Sequence, residues 1–252
     1  MEKVASPPSA AEEAAARPEA VRSYAALLST MRSGSTLVKA LLGSAPDIAH
    51  LPETNFRAVL RSPARQAALE RAHPKGILLL KRPAWFNEAW TYPRVPRERS
   101  VRCVVLLRDA FPTVRSVARM LGGKRGEQWS GLAGLRLLTR LYWAPVTRRL
   151  LAFAEAGEHA VAVVRYEDIL ERPEEETLRL FHFLGSAQAE GVRRYGEPEN
   201  ARWKWGRDDG SPRIRTREVQ PPRPLGEADL RRKAAVDRLP GVAELRRRAG
   251  FA

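Results

Sequence analysis

Four short stretches of almost uninterrupted apolar residues, 23–29, 77–81, 101–107 and 160–165, constrain the fold of this chain more than any other feature. A strand with one wet face alternates apolar and polar positions. A strand apolar at successive positions needs cover on both faces, which is the environment of a parallel sheet between helices. Helical patterns separate the runs. Residues 36–42 read as a helix closed by Gly43, and residues 112–121 open with Pro112 in their first turn. Residues 132–156 form a long pattern with Pro145 inside it, and residues 174–184 start with three glutamates suited to a helix N-terminus and stop before Gly185. The order β-α-β-β-α-α-β-α predicts an α/β fold with a central parallel β-sheet flanked by helices. An irregular stretch rich in Arg, Asp, Gly and Pro, 194–224, reads as a long surface loop ahead of two short helices near 227–233 and 242–249.

Composition narrows the function. The chain of 252 residues is 44% hydrophobic and 29% charged, enough for one full core, expected over 21–252 behind a mobile tail at 1–20. Its lone cysteine, Cys103, sits in an apolar run and excludes both an intrachain disulfide and a cysteine-built metal site. His73, His159 and His182 have no metal-ligand spacing, so no metal is expected. No apolar run approaches the roughly 18 residues of a membrane span, and residues 1–20 lack the basic start and apolar stretch of a secretory signal. A cytoplasmic protein without a membrane span is therefore expected. The 44 Lys and Arg against 29 Asp and Glu give a net charge of +15, which suggests an anionic partner. The arginines are scattered, with no long basic tail and no finger spacing, so a specific nucleic-acid partner is not expected.

The strongest local signal is LSTMRSGSTL at 28–37, a strand running through a small-residue loop into a helix. Backbone N–H groups converge in such a turn, the helix dipole adds partial positive charge, and Gly34 lets an anion approach the main chain. Arg32 can clamp the bound group. Ser29 stands where the first glycine of a Walker loop belongs and Ser35 replaces its lysine, so Mg-ATP chemistry loses its main cation. The second signal is VVLLRDAFPTVRS at 104–116, another strand, turn and helix start, with Arg108 at the strand end and Ser116 on the helix. If both turns open at one sheet edge, a single polyanion can bridge them.

Together these segments resemble the sulfotransferase family that uses 3′-phosphoadenosine 5′-phosphosulfate (PAPS), with motifs most similar to those of the tyrosylprotein and trehalose-type enzymes. Residues 32–37 (RSGSTL) look like the family's 5′-phosphosulfate loop, 107–116 like its 3′-phosphate site, and 164–169 (VRYEDI) with Pro173 like its YEDL segment. The resemblance implies a three-layer, P-loop-like fold. It also implies PAPS as donor and 3′-phosphoadenosine 5′-phosphate (PAP) as product, held by Arg32, Ser33, Gly34, Ser35, Thr36, Leu37, Arg108, Ser116 and Tyr166. Lys204 joins them from a late segment folded over the nucleotide. In the enzymes it is most similar to, a glutamate after the first helix is the base and a strand ending in Lys-x-Pro supplies a catalytic lysine. Glu53 and Lys81 match those positions, and His50 is the alternative base.

The chemistry needs these types. An acceptor hydroxyl has a high pKa, so a carboxylate must take its proton, and cations at Lys81 and Arg32 offset charge growing on the departing phosphate. The acceptor, a small molecule, glycan or lipid with a free hydroxyl, would meet residues 56–71, 85–94 and 124–142. Two other readings remain at this stage: a small-molecule or nucleoside kinase with a degenerate P-loop, and a noncatalytic basic nucleic-acid-binding protein.

Overall fold

The computed structural model describes residues 23–97, 100–122, 127–196 and 212–251. The expected tail at 1–20 and Lys204 lie outside the described residues.

Five parallel strands, β1 (Ser23–Ser29), β2 (Ile48–His50), β3 (Ile77–Lys81), β4 (Val101–Leu107) and β5 (Val161–Arg165), form one sheet in the order β2-β3-β1-β4-β5. Four of them coincide with the apolar runs. The fifth, β2, is three residues long, too short to stand out as a run, and it adds to the sheet edge by pairing Ile48 with Ile77 and His50 with Leu79.

The double burial has its cause in the strand's period of two. Ala26 and Leu28 of β1 enter one core while Ala25 and Leu27 enter the other, and in β4 Val105 and Leu107 oppose Val104 and Leu106 in the same way. After β1 comes α1 (Ser35–Leu42); after β2 come α2 (Phe56–Leu60) and α3 (Pro63–Ala72). After β4 come α4 (Ala110–Leu121), α5 (Glu127–Ser130), α6 (Leu132–Leu138) and α7 (Ala144–Glu155); after β5 come α8 (Tyr166–Glu171), α9 (Pro173–Leu184), α10 (Pro212–Arg215), α11 (Glu227–Asp237) and α12 (Val242–Arg248). Leu41 of α1, Ile169 of α8 and Phe181 of α9 fill one core; Phe56 of α2, Phe111 of α4, Leu150 of α7 and Leu245 of α12 fill the other. The architecture is thus helix, sheet, helix.

One consequence decides where a ligand goes. β1 hands the chain to α1 on one face, and its neighbour β4 hands it to α4 on the other. Adjacent strands whose connections leave to opposite faces open a crevice beyond their carboxyl ends, where ligands of open α/β sheets bind.

The long pattern at 132–156 is continuous helix, but it is not uniform. Between α6 and α7, Thr139–Trp143 widens into a π turn in which the Ala144 N–H reaches back five residues to the Thr139 carbonyl. Pro145, inside the first turn of α7, has no N–H and its ring crowds the carbonyl four residues back, so the ladder opens there. The extra residue turns both Tyr142 and Trp143 into the core. The expected loop at 194–224 is tied down at its described ends: the Tyr195 N–H donates to the Arg217 carbonyl and the Val219 N–H to the Arg193 carbonyl.

Candidate active site

The turn after β1 runs through residues 30–34. Arg32 has φ 61 and Gly34 has φ 90, both left-handed. At Gly34 this is close to obligatory, because an added Cβ would stand 2.1 Å from the Tyr166 ring. The loop is drawn tight by the Ser33 hydroxyl, which donates to the Thr30 carbonyl, so Ser33 faces inward and can offer a ligand only its N–H. The first backbone bond of α1 runs from the Val38 N–H to the Gly34 carbonyl. The N–H groups of Gly34, Ser35, Thr36 and Leu37 thus precede the ladder, at the positive end of the helix dipole. Leu37 itself packs in the core, leaving its main chain as the part available to an anion.

The turn after β4 sits beside this loop. The Arg108 guanidinium donates through Nη1 to the Arg32 carbonyl at 2.7 Å, and Arg32 Nε donates to the Ser116 hydroxyl at 3.1 Å. Arg108 also lies over the Tyr166 ring, 4.5 Å from its centroid. Residues 84 positions apart in the sequence therefore share one crevice, and the sequence-derived expectation that the two turns face each other agrees with the geometry.

The charge of Arg108 is only partly compensated by its neighbours. Burial lowers its pKa, the charges of Arg32 and Arg213 push the same way, and Tyr166 and Glu167 oppose them. Its Nε is buried without a hydrogen-bond partner. A buried cation beside two others, with an unused donor, fits a multiply charged anion such as a nucleotide carrying phosphoryl groups at both ends of its ribose.

A third group lies at the end of β3. The Lys81 side chain is 1% exposed, and its Nζ donates to the Thr36 hydroxyl at 2.9 Å and to Glu53 Oε1 at 2.8 Å. Glu53 is held from both sides in the chain: the Thr54 N–H donates to the Lys81 carbonyl, and the fully buried Lys39 donates through Nζ to the Leu51 carbonyl. The result is a line from the helix N-terminus through a cation to a carboxylate. His50 is elsewhere. It pairs two residues behind Lys81 along β3, and its ring packs against Gly43 at the far end of α1.

Several side chains that build the site have partners that the sequence does not reveal. Tyr142 in the π turn accepts from the Met31 N–H at 2.5 Å and donates to the Ala84 carbonyl; Trp143 donates to the Arg108 carbonyl. Tyr92 accepts from the Ser29 N–H and donates to the Arg82 carbonyl. Asp109 caps α4 and is gripped through both oxygens by Arg246 of α12. A tyrosine in a helical pattern announces burial and nothing more; only the proline at 145 hinted that the helix was irregular. Among the described residues no group of His, Cys, Asp and Glu could hold a metal, and no helix is long and apolar enough to cross a membrane.

No protein-family profile matches the chain, and no curated protein sequence matches it. Solved structures do. The sulfotransferase domain of the Synechococcus PCC 7002 olefin synthase superimposes with a TM-score of 0.55 at 18% identity, over 84% of this chain and 94% of that one. The sulfotransferase domain of the curacin biosynthetic pathway gives 0.45 at 17% identity, over 86% and 98%. A sulfotransferase from Alicyclobacillus acidocaldarius gives 0.49 at 15% identity, over 92% and 96%. The first of these establishes a shared P-loop-like α/β fold.

Proposed function

We propose that the protein is a sulfotransferase that moves a sulfonate group from PAPS to the hydroxyl of an acceptor. The observation that carries this reading is the Lys81 ammonium, buried between Thr36 and Glu53 at the mouth of a crevice whose other walls bear Arg32 and Arg108. Anion cradle, buried cation and carboxylate stand in the order that sulfonate transfer to an alcohol needs. The fold shared with a sulfotransferase domain supports the same reading.

PAPS, when bound, supplies an activated sulfonate whose leaving group is the 5′-phosphate of PAP. The N–H groups of residues 34–37 and the Arg32 side chain would hold the 5′ end; Arg108 and Ser116 would hold the 3′-phosphate. Glu53 accepts the proton of the acceptor hydroxyl as its oxygen forms the new bond to sulfur and the old sulfur–oxygen bond breaks. Lys81 does two things: it orients the Glu53 carboxylate, and it offsets negative charge where the leaving oxygen departs from Thr36's neighbourhood. Glu53 is the better base than His50 because Glu53 accepts directly from the Lys81 ammonium, whereas the His50 ring packs against Gly43 at the far end of α1.

The absence of a lysine at position 35 disfavours the kinase reading. Lys39 does not replace it, since its ammonium turns inward to the Leu51 carbonyl. Thermal denaturation tests the proposal. A ligand held only by the folded state at a hundredfold its Kd stabilises by about 2.7 kcal/mol, several degrees for a chain of this size. PAP is expected to give that shift and AMP, which lacks the 3′-phosphate, much less. Equal shifts from the two, or a larger one from Mg-ATP, would contradict it.

A further inference from the structure

On the far side of β3 from Lys81 the chain gathers a second set of cations. Arg82 follows Lys81 directly and so projects to the opposite face. Its Nη1 donates to Glu88 Oε1 at 2.7 Å, and Nη1 of Arg57 donates to the same oxygen at 3.1 Å. Glu88 Oε2 is taken by the Trp85 N–H. Arg57 lies over the rings of Phe56 and Tyr92, and its Nε and Nη2 are buried without a hydrogen-bond partner. The charge of Arg94 also bears on Arg57. Two guanidinium groups thus meet one carboxylate, which also accepts from a backbone N–H, while a third, Arg94, bears on Arg57 through its charge.

Energetics make this an unusual way to build a wall. The three side chains are partly buried, and in such a setting two like charges with unused donors against one carboxylate favour a further anion. Burial lowers the Arg57 pKa, and Arg82 and Arg94 push it further down against the pull of Glu88. The cluster is also close to the chemistry. Arg57 stands four residues after Glu53, in the first turn of α2, Arg82 is the next residue after Lys81, and the Tyr92 ring under Arg57 carries the hydroxyl that receives the Ser29 N–H at the end of β1. Phe86 and Trp90, in the same chain segment as Glu88, are exposed large apolar side chains.

We propose that Arg57 and Arg82 form an anion subsite of the acceptor pocket, so that the acceptor is a hydroxyl compound carrying a carboxylate or phosphate, with an apolar body against Phe86 and Trp90. This rests on the sulfotransferase reading but goes beyond it, since the donor crevice is indifferent to acceptor charge. The bound anion completes the charge balance that Glu88 leaves unfinished, and it fixes one end of the acceptor while the hydroxyl meets Glu53.

Titration calorimetry of the PAP-saturated protein with 3-hydroxydecanoate and with its uncharged counterpart decane-1,3-diol tests the proposal. The carboxylate is expected to bind at least about tenfold more tightly than the diol, as a charge-assisted pair implies. That preference is expected to vanish in Arg57→Gln and in Arg82→Gln while PAP still raises the melting temperature of both variants. Equal affinities, no binding of either compound, or a preference that survives both substitutions would overturn it. The wild-type comparison needs no variant, so a misfolded Arg57→Gln protein leaves the question decidable. Failure of the donor reading looks different: PAP itself would then not stabilise the protein.

Discussion

At Gly34 the backbone conformation and a neighbouring ring impose two separate restrictions, and they can be pulled apart. Alanine there would have to adopt φ 90, a strain on the order of 1–3 kcal/mol, and would also drive its methyl into Tyr166. Gly34→Ala is expected to lower stability and to abolish the PAP shift. Adding Tyr166→Ala removes the clash but not the strain, so the double variant should recover part of the lost stability, a nonadditivity that denaturant titration measures. Full additivity would mean that the ring and the loop do not touch. Glu53 calls for a different readout. If it takes the hydroxyl proton, Glu53→Gln should reduce turnover by on the order of 10² to 10⁴ while PAP stabilises the variant as it does the parent. Retention of full activity would return the question to the identity of the base. Both residues were legible in the sequence, Gly34 through the small-residue loop and Glu53 through a family motif. What the sequence withheld is the Lys81 bridge, because a contact 45 positions away from Thr36 depends on strand order.

Among the elements, the π turn at Thr139–Trp143 does the least expected work. The sequence pattern carried the length of the helix and the proline inside it, but periodicity of 3.6 has no way to register one inserted residue. That residue decides which side chains face inward. Tyr142 reaches both the Met31 N–H in the anion loop and the Ala84 carbonyl beyond β3. Its burial pushes the phenol pKa far above the ordinary value, so it serves as a neutral hydroxyl at any working pH. Tyr142→Phe is expected to leave the Met31 N–H unsatisfied at a cost of about 1–3 kcal/mol and to weaken PAP binding with it, since the loop loses an anchor. Loss of stability without any change in PAP affinity would show that the anchor does not shape the cradle. Short elements were invisible for a related reason: β2 is too brief to form a pattern, and its residues become a strand only because β3 offers an unpaired edge.

For the molecule as a whole, the sheet order explains why so much of the architecture could be read and so little of the acceptor side. Continuous apolar runs report burial on two faces, and helical crossovers between them report parallel strands, so the layers follow from local chemistry. The crevice follows from topology, because β1 and β4 are neighbours whose helices leave to opposite faces. The Arg57, Arg82 and Glu88 group depends on packing between α2 and the segment after β3, which no spacing announces. The net charge of +15 is consistent with attraction of a polyanion but does not choose one. If one doubly phosphorylated nucleotide is held between the two turns, a crystal structure of the PAP complex is expected to show the 5′-phosphate against the N–H groups of residues 34–37 and the 3′-phosphate within hydrogen-bond reach of Arg108 and Ser116. PAP bound elsewhere, or with only one of its phosphates on these turns, would contradict it.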